Sequence, residues 1–279
     1  MRTNLRTLGP NEAKLVLALR EEGQEIVSAG EIIERLGSET TGRNVIQTLL
    51  RKAWLTRLKP GRYLLLPPEH GPEQLGENNA LALAASVIEP SYVGWWSAAS
   101  YHGFTTQKPM TVTVATTRQL APRVLEGTDV RFVTVTKRKF FGYRRYDLYG
   151  RGVTLSDPAK TIADCVDRPE LCGGPAELAR IIFGASSAVD ADAVLTAAKR
   201  MGSTALLQRL GYLMDLADWP LAPDQRRDLH EAINPTARTT LGRKLRKEGD
   251  VGYVAEWGLF VHAREAELLA DVPRRVGAH

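Results

Sequence analysis

The chain of 279 residues contains only two cysteines, Cys165 and Cys172, too few for a disulfide framework or a thiolate metal site. No apolar run approaches the roughly 20 residues that span a bilayer, and no signal-peptide core opens the chain, so a reducing cytoplasm is the expected compartment. Also missing are a phosphate-binding loop with its lysine, zinc-ligand spacing, a dinucleotide fingerprint and a nucleophile elbow. No cofactor, metal or catalytic residue is therefore expected. Internal repeats are absent too. Aspartate does not occur in residues 1–68, where eleven Lys/Arg stand against seven Glu, so that +4 of the formal +5 falls in the first quarter. That asymmetry suits a polyanionic partner. What is present, 43% hydrophobic and 25% charged residues, marks a soluble globular chain long enough for two domains.

Within the basic quarter, Ser38 to Leu66 is the most informative stretch. Polar residues suited to a helix start precede Val45, Ile46, Leu49, Leu50 and Ala53, whose spacing predicts an apolar, inward helix face. The other face carries Arg43, Asn44, Gln47, Arg51 and Lys52, with Thr40 and Thr41 at its start. Arginine, asparagine and glutamine can make paired hydrogen bonds to guanine and adenine edges in a major groove. Leu55 to Leu58 and Tyr63 to Leu66 read as strands joined at Lys59-Pro60-Gly61-Arg62, where proline presets one central position and glycine takes the left-handed one. Upstream, Gly9-Pro10 opens a helix with Leu15, Val16 and Leu19 on one face and Gly23 at its stop. Ser28-Ala29-Gly30-Glu31 is a capping box for a second helix bearing Ile32, Ile33 and Leu36, and Gly37 permits the turn into the third. The order of elements in residues 1–68 reads as a winged helix-turn-helix DNA-binding domain, with Lys59 and Arg62 placed to meet phosphates.

Pro67-Pro68-Glu69-His70-Gly71-Pro72 can continue neither strand nor helix, which makes residues 69–76 a linker. The second domain is expected over 77–279 and begins with a helix from Glu77 to Ile88. Its mixed strands should lie within 90–155: a short strand into a helix over 92–103, strands at 111–116 and 131–136, and a pair from Phe140 to Tyr143 and Tyr146 to Leu155. Asp157 caps and Pro158 starts a helix carrying Thr161, Ile162 and Val166. Helices over 176–183, 190–201, 204–216 and 223–233 should form a bundle within 156–235. A strand from Tyr253 to Val261 and a last helical piece complete 250–279. The expected fold class is α+β, a winged helix-turn-helix followed by a larger mixed α/β domain with a helical bundle portion. Basic clusters at Lys137, Arg138, Lys139, Arg144 and Arg145 and at Arg243 and Lys244 are read as additional phosphate contacts.

GWWSAASYHGFTTQ at 94–107, SDPAKTIADCV at 156–166, GGPAEL at 173–178, Arg209-Leu210-Gly211-Tyr212-Leu213 and Glu256-Trp257-Gly258-Leu259-Phe260-Val261 resemble the AbiEi family of bacterial antitoxins, from abortive-infection toxin–antitoxin pairs used in phage defence. The resemblance spans most of the chain. It implies an N-terminal winged helix that represses its own operon at inverted-repeat operator DNA. It also implies a C-terminal domain that counteracts a nucleotidyltransferase-like toxin encoded next door. Two departures touch packing: the tryptophan pair Trp95-Trp96, where the family often has one, and Lys160, where it has arginine. The motif residues Gly94, Trp95, Ser97, His102, Gly103, Ser156, Asp157, Pro158, Asp164, Gly173 and Gly174 are read as setting the fold rather than as a reaction centre. The protein is expected as a monomer or weak dimer that gains affinity on two half-sites.

Two alternatives stand beside this reading. A nucleic-acid-processing enzyme with a winged-helix targeting module would draw on His102, Asp157, Asp164 and Glu177 for acid–base or metal chemistry. A ligand-sensing regulator would need a concave apolar pocket in the second domain.

Overall fold

The computed structural model describes residues 7–66 apart from Glu25 and Ala53, 80–148 apart from Glu126, and 151–272 apart from Asp271. The expected linker at 69–76, and Glu77 to Asn79 of the helix expected after it, lie outside these residues. The chain divides into two compact units: residues 1–89 with 124–128 and 147–152, and the remainder from Pro90 onward.

In the first unit, α1 (Pro10–Glu21), β1 (Ile26–Ser28), α2 (Ala29–Leu36), α3 (Glu39–Arg51), β2 (Leu55–Lys59), β3 (Arg62–Leu65) and α4 (Ala80–Ala85) follow in order. Ser28 closes the capping box of α2, its Oγ accepting from the Glu31 amide at 3.1 Å while Glu31 accepts from the Ser28 amide at 2.6 Å. Gly37 ends α2 in the left-handed region at φ 69°, and Ser38 caps α3 by accepting from the Thr41 amide. The hairpin turn has Gly61 at φ +75°, and the Gly61 carbonyl accepts from the Ala29 amide at 2.8 Å. This bond pins the turn to the start of α2. The strand β1, which sequence patterning did not suggest, pairs antiparallel with β3, giving a sheet of order β1-β3-β2. Leu15, Leu19, Ile32, Val45, Ile46, Leu49, Leu55 and Leu65 are buried in one core between this sheet and the three helices.

From Ser91 the chain continues with β4 (Ser91–Val93), α5 (Trp95–Tyr101), β5 (Thr111–Thr116), β6 (Arg123–Leu125), β7 (Thr128–Thr134), β8 (Tyr143–Leu148) and β9 (Arg151–Ser156), of which residues 124–128 and 147–152 group with the first unit. These strands form a sheet of order β6-β7-β5-β4-β9-β8, in which β5 lies parallel to β7 and antiparallel to β4. Phe140 and Phe141 fall outside any strand, because Lys137–Lys139 form a 3-10 turn just before them. The hairpin expected from 140 therefore begins at Tyr143.

α6 (Pro158–Asp167), α7 (Pro175–Ala185), α8 (Ala191–Met201), α9 (Thr204–Leu216) and α10 (Pro223–Ala232) follow. Each of α6 to α9 buries an apolar stripe: Ile162 and Val166, Leu178 and Ile182, Val194 and Ala198, Leu206 and Leu213. At the end stand β10 (Thr239–Gly242), β11 (Gly252–Val254), β12 (Leu259–His262) and α11 (Glu265–Leu268). The single strand expected from Tyr253 to Val261 is broken by a 3-10 turn at Ala255–Trp257 that closes on Gly258 at φ +61°. The chain thus reverses, and β11 and β12 pair antiparallel, with β10 parallel to β12 on the other side. The architecture is α+β.

Candidate functional site

Helix α3 is amphipathic by construction. Val45, Ile46 and Leu49 are buried, whereas Thr40, Arg43, Asn44, Gln47 and Arg51 are exposed on the opposite side. Thr41 is half-buried and lines, with Asn44, Thr48 and Glu12, an open hollow between α3 and the start of α1. Arg43 is tied to Glu39 one turn earlier, both side chains well exposed, a pairing that water screens and that a competing anion can displace. Lys52 is placed differently from its neighbours. It is half-buried and donates to Glu12 Oε2 at 2.7 Å, and Glu12 also accepts from the Gly9 amide. Together the two hydrogen bonds hold the Glu12 carboxyl below its usual range against a burial effect that raises it. Arg62, at the hairpin, is half-buried and paired with Glu89 at 3.2 Å. Lys59 ends β2, and its side chain lies outside the described residues.

The other basic clusters are less uniform than their spacing suggests. Lys137, Arg138, Arg144, Arg145 and Lys244 are exposed. Lys139 is bound to Asp167, Arg138 donates to the carbonyl of Arg200 at 3.0 Å, and Arg144 lies over the Tyr146 ring. Arg243 is half-buried between Asp250 and Glu267.

The motif residues of the second unit form connected hydrogen-bond networks. Ser97 Oγ donates to the Thr111 carbonyl and accepts from the Thr113 amide at 3.1 Å, tying α5 to β5. His102 Nε2 sits 2.8 Å from the Ser156 carbonyl, and burial pushes its imidazole below the ordinary value. Gly103 turns the chain at φ +75°. Asp157 accepts from the Lys160 amide at 2.8 Å and Pro158 opens α6. Lys160, 1% exposed, lies buried with Asp164, to which it is ion-paired, and with Tyr92. Its Nζ is 3.0 Å from the Tyr92 hydroxyl, which reaches Asp164 Oδ2 at 3.2 Å. Burial outweighs the adjacent ammonium and lifts the Asp164 carboxyl to about 6. Gly94 lies against this pair, since a Cβ there would come within 3.1 Å of the Tyr92 ring. Trp95 is fully buried with a positive φ of 51° and an indole N–H without a partner among the described residues, a strained placement for a non-glycine residue.

Around Gly173 and Gly174, both with positive φ, Glu177 accepts from Trp96 Nε1 at 3.0 Å and from Thr105 Oγ1 at 2.5 Å and pairs with Arg180. The three carboxylates Asp157, Asp164 and Glu177 are thus engaged separately, as a helix cap, a buried ion pair and an indole acceptor. Among the described residues no group of His, Cys, Asp and Glu is arranged to hold a metal ion. Sequence reasoning did not foresee Tyr92, Trp96 or Lys160 in these networks; the i, i+4 spacing of Lys160 and Asp164 was the one available signal.

The late motifs meet through a close contact. Gly211 faces the Trp257 ring, where an added Cβ would stand 2.3 Å from the ring carbons. Trp257 donates to Asp215 Oδ2 at 2.8 Å and stacks on His230 with centroids 4.4 Å apart. Arg209 donates to the Thr240 and Asp167 carbonyls, closing the C-terminal end of α6.

An α+β chain whose second unit is built on these motifs has a match among known families: residues 92–216 fit the family model of the AbiEi antitoxin C-terminal domain. Over these residues the chain is similar to the C-terminal domain of the AbiEi antitoxins of toxin–antitoxin systems. A crystal structure of the RV2827C protein from Mycobacterium tuberculosis has a similar fold, with a TM-score of 0.66 over 95% of each chain at 17% identity. No curated protein matches this chain. Among the described residues no helix is long and apolar enough to cross a membrane.

Proposed function

We propose that this protein is an antitoxin that also binds operator DNA and represses its own operon, its first unit acting as a winged helix-turn-helix. The observation that carries the DNA reading is α3. It buries Val45, Ile46 and Leu49 while leaving Arg43, Asn44, Gln47 and Arg51 exposed; arginine, asparagine and glutamine are residue types that read base edges. Capping at Ser28 and Ser38 and the left-handed Gly37 fix its angle to α2. Lys52 holds α3 to α1 through Glu12 and is a positioning residue, not a base contact. The antitoxin part rests on the family domain over 92–216, and the toxin it opposes is expected to be the nucleotidyltransferase-like product of a neighbouring gene. Operator half-sites in inverted repeat are the expected target.

The test is an anisotropy titration with the promoter fragment upstream of the gene and a scrambled duplex of equal length. Alanine at Asn44 or Gln47 should cost about 1–3 kcal/mol on the promoter and little on the scrambled duplex. Equal losses on both would remove α3 from base reading.

A further inference from the structure

We propose that the outer face of the sheet β10-β12-β11 binds single-stranded nucleic acid, stacking bases on Tyr253 and Phe260 while Arg238, Lys244 and Arg246 meet phosphates. The register places Tyr253 opposite Phe260 and Phe260 opposite Thr240. Side chains alternate along a strand, so these three share the face turned away from Leu241, Leu259 and Val261, which are fully buried. The two rings are 4.9 Å apart, tilted by 42°, and remain 45% and 37% exposed. His262, two residues beyond Phe260, extends the row with its ring 6.3 Å away. A cross-strand aromatic pair adds stability to a sheet wherever it stands, but that role does not account for the charges around this one.

Arg238 holds its guanidinium 5.7 Å from the Tyr253 centroid, anchored through Nη1 to the carbonyls of Pro235 and Ala237. Arg246, exposed in the connection from β10 to β11, lies at the strand edge against Gly252, the residue before Tyr253, where a Cβ would stand 3.0 Å from its Nη2. Lys244 and Lys247 are exposed in the connection from β10 to β11. Of the acidic residues there, Asp250 is buried against Arg243 and the Lys247 amide, and Glu256 pairs with Arg226. Glu248 is left as the exposed carboxylate of the connection. Exposed rings on an open sheet face, rimmed by cations, are the chemistry that stacks bases and neutralises phosphates. The same excess of cations disfavours a protein surface, which would have to be strongly acidic to match it. The sheet lies outside the matched residues 92–216.

The experiment uses the full chain and fluorescein-labelled, non-self-pairing RNA of about twelve nucleotides, the same sequence as single-stranded DNA, and a duplex. Binding of either single strand is expected, with Phe260→Leu and Tyr253→Leu each weakening it about tenfold and Phe260→Trp retaining it. Arg246→Glu should weaken it and flatten its salt dependence. Duplex affinity should not change in the two leucine variants. Preference for RNA would assign contacts to the 2′-hydroxyl, and equal affinity would assign stacking and phosphate contacts alone; both support the proposal. Circular dichroism checks that the leucine variants stay folded. Failure of both single strands to bind at low salt, or wild-type affinity in the folded leucine variants, overturns it. Wild-type RNA affinity in those variants together with lost protection against the toxin also overturns it and assigns the face to a protein partner.

Discussion

Gly211 illustrates how much of this domain is decided atom by atom. An alanine in mid-helix is ordinarily better than glycine by up to ~1 kcal/mol. Here the new methyl would stand 2.3 Å from the Trp257 ring, and that ring cannot retreat because Asp215 and His230 hold its edge and face. Overpacking of this kind costs about 1–3 kcal/mol. Gly211→Ala is therefore expected to lower the unfolding midpoint in urea, and a raised midpoint would show that Trp257 is not confined. His102 gives a second test, through pH. Burial depresses its folded value below the unfolded 6.5, helped by Arg144 and opposed by the Ser156 carbonyl and Asp157. In the interval between the two values the unfolded chain binds more protons, so stability rises with pH there. The contribution is present in full above 6.5 and is lost as the pH falls through the folded value. His102→Gln keeps an N–H for the Ser156 carbonyl but cannot titrate. Its melting temperature should fall less between pH 7 and 5 than that of the wild type. Equal falls would place the acid sensitivity in other groups.

At the scale of elements, capped and long segments were legible in the sequence. Ser28 with Glu31, Ser38, Asp157 with Pro158, and the Gly61 turn each pair a local chemical signal with a boundary that the fold keeps. Of the three-residue strands, only β4 was anticipated as an element of its own. β1, β6 and β11 are too short to show a period of two, and β1 exists because the hairpin offers it a partner. The break at Gly258 was hidden for a related reason, since Trp257 and Leu259 are both buried and the run reads as continuous. Around the candidate interface, spacing showed which side chains share a face of α3 but not what else they touch, so Lys52 joined Arg43 on paper and Glu12 in the fold. The approach of α2 to α3 supplies the prediction at this scale. A Cβ on Gly42 would stand 2.6 Å from Ile33 Cγ1 and 3.0 Å from Ile33 Cα. The side chain can turn aside, but the backbone cannot. Gly42→Ala should destabilise the first unit by about 1–3 kcal/mol despite its helix preference. Ile33→Ala should cost less in that background than alone, because it removes part of the same clash. Strict additivity in a double-mutant cycle would separate the two residues.

Among the described residues, one hydrophobic core runs from Leu15 to Leu65 and another, sharing no residue with it, from Tyr92 to Leu268. Each half of the chain thus has its own reason to fold, and cutting within 69–76 should separate the activities. The outcome is expected to be asymmetric. Residues 77–279 contain the whole family domain and should protect cells expressing the cognate toxin, yet leave the promoter unrepressed. Residues 1–68 should bind the promoter weakly and protect nothing. Weak binding follows from two observations. The fragment lacks α4 and the segments 124–128 and 147–152 that group with the first unit, so its fold loses support. It also lacks the exposed Lys137, Arg138, Arg144, Arg145 and Lys244, each able to release a counterion if it meets a phosphate. A salt titration distinguishes the two causes, since lost phosphate contacts reduce the slope of log affinity by about one per contact whereas lost folding lowers affinity at every salt alike. If 77–279 is folded by circular dichroism and still fails to protect cells, the family domain does not act alone and the division at the linker is wrong.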